Sequence, residues 1–156
     1  MKSMMILGID PGTNCGWALL KDGQRIASGR WDLSSRRHEG GGMRYLRARR
    51  NLLEICKSYK VDAVAYEEVR RHRSTDAAHV YGGIVAVITA TCEEYEMPFK
   101  AIPVGTVKKV ATGKGNAGKE MMRDAAEARW GIELTGGDDE ADALFIALAL
   151  YEDMKI

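Results

Sequence analysis

The order in which two periodicities alternate along this chain constrains its fold more than any single motif does. Met4 to Ile9 is a short apolar run that stops at Asp10-Pro11-Gly12, the pattern of a buried strand followed by a turn. Gly16 to Lys21 and Arg25 to Leu33 are two more strand-like segments, and the Asp22-Gly23 pair between them signals a tight hairpin. The chain thus opens with three strands, read as an antiparallel meander. After the polar, Gly-rich stretch from Ser34 to Gly42, the period changes. Leu46, Leu52, Leu53, Ile55 and Cys56 recur at helical spacing with arginines in the gaps, which predicts an amphipathic helix with a basic outer face. Val61 to Val69 reads as a strand, Thr75 to Tyr95 as a long apolar helix and Pro98 to Val104 as a fifth strand. Thr106 to Ala111 suits one or two helical turns, Thr112 to Gly118 a flexible loop, and Lys119 to Trp130 and Asp138 to Met154 two helices. Strands that alternate with helices after an opening meander predict an α/β fold, a mixed five-stranded sheet with helices on both faces. Gly82-Gly83 inside the long helix weakens it, which suggests close packing there against another backbone.

The 156 residues, 46% of them hydrophobic, suit one compact domain, 1–156, rather than two. No apolar stretch is long enough to span a membrane, and Met1 to Ile9 lacks the charged start and cleavage site of a secretory signal. A cytoplasmic protein is expected. Cys15, Cys56 and Cys92 are odd in number and far apart, with no CxxC pair, so they read as reduced thiols rather than a zinc site or disulfide framework. His38, His72 and His79 show no ligand spacing. Trp17, Trp31 and Trp130 read as core or half-buried anchors, and Met121 and Met122 as helix packing.

The formal net charge of +1 excludes nothing, but its distribution is uneven. Basic residues bunch at Arg36 and Arg37, at Arg44, Arg47, Arg49 and Arg50, at Arg70, Arg71 and Arg73, and at Lys108, Lys109, Lys114 and Lys119. Acids bunch at Asp138, Asp139, Glu140 and Asp142. Separate patches of opposite sign can bind a polyanion with one and a divalent cation with the other.

The acids fall where a metal site can be assembled. Asp10 ends the first strand, Glu67 or Glu68 ends the fourth, and Asp139 and Asp142 lie three apart on one face at the start of the last helix. That helix N-terminus favours ionised carboxylates. Each acid also has an ordinary structural use. Asp10 suits a turn, Asp138 to Glu140 suit a cap and first turn, and Glu67 and Glu68 suit an exposed strand end. Asp142 is harder to place so, because the apolar run Ala143 to Leu150 follows it. Gathered carboxylates repel each other unless a hard cation neutralises them, and two magnesium ions about 4 Å apart can support in-line hydrolysis of a phosphodiester.

Four segments carry a resemblance to a known family. Ile6-Leu7-Gly8-Ile9-Asp10-Pro11-Gly12-Thr13 resembles the opening of the RuvC-type Holliday junction resolvases, which have the RNase H-like fold. Tyr66-Glu67-Glu68-Val69 resembles their second acidic motif, Val107-Lys108 with Gly113 and Lys119 their basic third region, and Asp139-Glu140-Ala141-Asp142-Ala143-Leu144 their closing motif. The motifs occur in the family's order over almost the whole chain. The resemblance implies that Asp10, Glu67, Asp139 and Asp142 are the catalytic, metal-holding acids, and its register selects Glu67 over Glu68. It implies two magnesium ions per site with manganese as a substitute, and Lys108 and Lys119 as DNA contacts. The basic runs Arg44 to Arg50 and Arg70, Arg71 and Arg73, together with Lys114, join them as the expected DNA-binding surface. The resemblance further implies a homodimer in a bacterial or phage-infected cell that cuts four-way junctions symmetrically, leaving 5′-phosphate and 3′-hydroxyl ends. The dimer contact is expected on the Thr75–Tyr95 helix. There is one departure. Three residues after the second acid the family often carries an aromatic side chain, and here that position is Arg70. An arginine can stack and bind phosphate, so selectivity is expected to widen to forks and flaps, as in compact phage-encoded members.

Two other motifs are decoys. Gly113-Lys114-Gly115-Asn116-Ala117-Gly118-Lys119 nearly matches a phosphate-binding loop, but Glu120 stands where Ser or Thr is required and no buried strand precedes it. The opening Gly-Ile-Asp-Pro-Gly-Thr also resembles actin-like ATPases, which need two such domains. An RNA-processing nuclease and a non-catalytic nucleic-acid-binding module of the same fold remain as alternatives.

Overall fold

The computed structural model describes residues 2–155; Met1 and Ile156, the two ends of the expected domain, lie outside the described residues. The strands are β1 (Met5–Asp10), β2 (Asn14–Lys21), β3 (Gln24–Asp32), β4 (Ala63–Glu68) and β5 (Phe99–Pro103). The helices are α1 (Met43–Tyr59), α2 (Thr75–Glu94), α3 (Val104–Thr112), α4 (Lys119–Trp130) and α5 (Gly137–Met154). They form a five-stranded sheet in the order β3-β2-β1-β4-β5. β1, β2 and β3 are antiparallel, whereas β4 and β5 join parallel to β1. The mixed sheet matches the expectation. The Asp22-Gly23 turn has both residues at positive φ, 50° and 83°, and pairs Lys21 directly with Gln24. That geometry matches the twist of the two flanking strands.

Strand alternation divides the core in two. Ile6, Ala18, Leu20, Ala63, Ala65 and Ile102 pack with α3, α4 and α5 on one face. Leu7, Ile9, Leu19 and Val64 pack with α1 and α2 on the other. Helix α5 lies between the sheet and helices α3 and α4, so Ala143 to Leu150 are buried all round. This explains a helix with no polar stripe along eight residues. It also sits unusually close to the sheet. A Cβ at Gly8 would overlap the Ala143 carbonyl and the Ala147 amide, and one at Gly16 would overlap the Asp139 carbonyl. Two glycines on the same face let backbone rest on backbone.

Several expectations are corrected. The segment expected to give one or two helical turns at Thr106 to Ala111 is the longer helix α3. Met121 is 42% exposed, and only Met122 packs. Leu46, expected on the buried face of α1, is 39% exposed, because that face is carried by Ala48, Leu52 and Ile55. Gly83 packs not against a backbone but against the Tyr45 ring, and Gly82 faces open space. Three of the four arginines of α1, expected on a DNA-binding face, are held within the protein, and Arg50 is the one that stays exposed without a partner among the described residues. Arg44 donates to the Leu33 carbonyl, Arg47 to Glu39 and the Ser34 carbonyl, and Arg49 to Thr91 and Glu94. These donors satisfy loop carbonyls and tie α1 to α2.

Candidate active site

The site grows out of strand parity. Ile6, Gly8 and Asp10 alternate toward α5, and so do Ala63, Ala65 and Glu67 on the neighbouring parallel strand. The pairing of Ile9 with Tyr66 sets Asp10 and Glu67 side by side at the C-terminal ends of β1 and β4. Glu68 has the opposite parity and pairs with Arg70 at 3.0 Å. Glu67 is buried, 8% exposed. Its position is clamped from α2, where the Tyr81 hydroxyl donates to the Glu67 carbonyl at 2.8 Å and accepts from the Val69 amide at 3.0 Å. The first two turns of α5 then bring Asp139 and Asp142 over the same strand ends, with the Asp139 carbonyl against Gly16.

The four acids act on one another electrostatically. Asp10 is held well above the usual carboxylate range, by loss of water first and then by repulsion from Glu67, Asp142 and Asp139. Burial, then repulsion from Asp142, pushes Glu67 up to about 7, against the pull of Lys108. Asp142 is likewise pushed up to about 7 by burial, then by Asp139 and Asp138, with Lys108 and Lys119 opposing. Asp139 is raised by burial and Asp138, and restrained by a hydrogen bond with Asp10 and by Arg30 and Lys119. Among the described residues no three His, Cys, Asp or Glu side chains converge closely enough to enclose an ion. The acids are gathered, but they are not a ready-made cage. Their chemistry nevertheless fits a hard divalent cation, because all four donors are oxygens whose mutual repulsion and lost hydration such a charge would offset.

A cleft of about 620 Å³ opens beside them. Glu67, Asp142, Lys108, Lys119, Arg70 and Arg71 all line it. Lys119 lies 3.9 Å from Asp138, which also binds Arg123 at 2.6 Å. Asp138 is therefore a partner of the basic side chains rather than a fifth acid of the cluster. Arg73 and Lys114 are exposed outside the cleft lining. His72 turns toward the protein, with Nε2 3.2 Å from the Val69 carbonyl and its ring 4.8 Å from that of Tyr81. The Gly113–Gly118 loop follows helix α3, not a strand, so it lacks the setting of a nucleotide-binding loop.

Three contributors escaped the sequence reading. Tyr81 clamps β4, Gly16 admits α5, and Arg30 offsets the charge of Asp139. Arg30 pairs across the sheet with Gly16 and Ser28 with Ala18, so both lie on the face toward α5. Polar residues alternating onto an otherwise apolar strand face were the available signal.

The family described as "Crossover junction endodeoxyribonuclease RuvC" matches residues 6–150. A protein of that name from Caldicellulosiruptor saccharolyticus is 32% identical over 152 residues, covering 93% of this chain and 90% of its own. One from Ehrlichia chaffeensis is 29% identical over 149 residues, covering 93% and 94%. Among solved structures, T. thermophilus RuvC in complex with Holliday junction substrate superposes with a TM-score of 0.81 at 26% identity, over 94% of this chain and 92% of that one. The sheet and helices described above are the same RNase H-like fold.

Proposed function

This chain belongs to the RuvC family of crossover junction endodeoxyribonucleases, and we propose that it cuts four-way DNA junctions, and other branched DNA such as forks, by hydrolysing phosphodiesters. One observation carries this reading. Two strand ends and one helix start deliver Asp10, Glu67, Asp139 and Asp142 to the same face of the sheet, beside a cleft that also holds Lys108 and Lys119. The four acids would hold divalent cations, two magnesium ions with manganese as a substitute, whose charge supports attack of water on the scissile phosphate. The rest belongs to the side chains. Lys108 lies close enough to Glu67 and Asp142 to favour their ionised forms, and from the same place its side chain would meet the scissile phosphate. Lys119, Arg70 and Arg71 line the path of the backbone, and Arg73 and Lys114 extend the contact from the exposed surface. The Arg70 side chain is 86% exposed and among the described residues leans on Glu68 alone, free to swing toward a base or a phosphate. No aromatic platform stands there to demand a junction centre, which supports acceptance of forks.

The working unit is a homodimer of one nuclease domain, 1–156, acting in the cytoplasm. No described helix is long and apolar enough to cross a membrane. On this reading the dimer contact lies on α2, and the open space at Gly82 supports it. The test is cleavage of a labelled four-way junction beside a fork, a linear duplex and a structured RNA, with and without magnesium. Asp139→Asn is expected to bind the junction and leave it uncut. Cutting of the RNA in preference to the junction would move the chain to RNA processing, and binding without cutting under either metal would leave only a binding module.

A further inference from the structure

Glu140 sits between the two α5 acids in sequence but takes no part in the cleft. It is 1% exposed, and its carboxylate is used up elsewhere. Oε2 accepts from the Ser28 hydroxyl on β3 at 2.6 Å, and Oε1 accepts from the Gly136 amide at 2.7 Å. Behind Ser28, Arg25 Nε donates to the same hydroxyl at 2.6 Å. A buried carboxylate is expensive unless it is bonded, and here every partner is a donor held by the backbone or the sheet. The bond to Gly136 also satisfies an amide that the first turn of α5 leaves without a helical partner. Gly136 is packed so tightly on β3 that a Cβ there would come within 3.0 Å of the Glu140 Cβ and 3.1 Å of Gly29 and Arg30. One residue away, the Asp139 carbonyl rests on Gly16 of β2. The start of α5 is thus fastened to β2 by contact and to β3 by the Ser28–Glu140 hydrogen bond, at the turn that carries Asp139 and leads into Asp142.

We propose that Glu140 is a positioning residue: the chain Arg25–Ser28–Glu140–Gly136 fixes the first turn of α5 on the sheet and so sets the aim of Asp139 and Asp142, hence the affinity of the site for divalent metal. This rests on the reading of those two acids as metal-holding groups. Removal of a groove-facing acid would lower affinity because a ligand is lost; removal of Glu140 lowers it by letting two ligands drift. Supporting partners of metal ligands typically change metal affinity by about 10- to 100-fold when removed.

The test is calorimetric titration of the full-length protein with Mn2+, beside junction binding measured without metal. Glu140→Ala is expected to weaken Mn2+ binding at least about tenfold, with junction affinity unchanged. Glu140→Gln keeps an acceptor for Gly136 and a group facing Ser28, and is expected to stay within about threefold of wild type. Ser28→Ala removes one bond from the relay without touching α5, and is expected to fall between the two. Wild-type Mn2+ affinity in Ser28→Ala and in folded Glu140→Ala would overturn the proposal. So would equal loss in Gln and Ala variants, which would make the charge itself a ligand or a stability requirement. Absence of any saturable Mn2+ site in the wild-type protein would instead overturn the metal reading on which this one depends.

Discussion

Without metal, this protein is expected to lose stability as pH rises from about 4 to about 7, the reverse of ordinary acid denaturation. Glu67 is raised from 4.5 to about 7 and Asp142 from 3.8 to about 7. A carboxyl whose folded pKa is raised holds its proton longer in the native state than in the unfolded chain. Its penalty is absent below the unfolded value, grows as the unfolded chain ionises, and is complete once pH passes about 7. At ~1.4 kcal/mol per unit the two shifts separately amount to ~3 and ~4 kcal/mol. Repulsion from Asp142 is contained in the Glu67 shift, so the pair together is set at roughly 4 kcal/mol. For a chain of this size that is a fall of ~10 °C in Tm. The assay is thermal unfolding followed by circular dichroism in EDTA across that pH window. Magnesium at about a hundred times its Kd should restore ~2.7 kcal/mol at the alkaline end and much less at the acid end, where the acids are protonated. Asp142→Asn should flatten the profile and make the metal-free protein more stable than wild type near pH 8, while abolishing cleavage. A flat profile in the wild-type protein, or an Asp142→Asn variant with an undiminished slope, would refute the claim that the cluster is strained by its own charge.

Three further outcomes are expected. Gly16→Ala would force the start of α5 off the sheet, because its Cβ meets the Asp139 backbone; overpacking of this kind costs about 1–3 kcal/mol, and displacing Asp139 by about 1 Å should lower the cleavage rate about 100-fold, read by thermal unfolding and single-turnover cutting of a junction. Tyr81→Phe removes the hydroxyl that joins the Glu67 carbonyl to the Val69 amide and should destabilise by about 1–3 kcal/mol, with hydrogen exchange at Val69 rising as the local sign. Lys108→Ala releases Glu67 and Asp142 from the charge that lowers both. Metal binding requires ionised carboxylates, so the acid limb of the pH–rate profile should move to higher pH, and a profile that keeps its position would remove Lys108 from the cluster.

The periodicities were sufficient for the fold because each element is bounded by local chemistry. Asp22-Gly23 makes its own hairpin, Gly113 and Gly131 end α3 and α4 in left-handed conformation, and Ser74 caps α2 through the Ala77 amide. The misreadings share a different cause, which is that they depend on partners far away in sequence. Arg44, Arg47 and Arg49 look like a basic face until the loop carbonyls and Glu94 that consume them are in place. Gly83 looks like a backbone contact until Tyr45 fills the space.

The choice between Glu67 and Glu68 shows the same division at the site itself. Alternation along β4 requires that the two point to opposite faces, and so says only that one of them is available. Which one depends on the side taken by α5, a helix that begins about seventy residues later and lies on the face of Ala63 and Ala65. That side is in turn fixed by Gly8 and Gly16, the places where β1 and β2 carry no side chain. The residues that decide the register of the acids are therefore glycines with no chemistry of their own. A motif can mark Glu67 through its family resemblance, but physically it is marked by the absence of a Cβ on the neighbouring strands, which lets Asp139 and Asp142 descend to meet it.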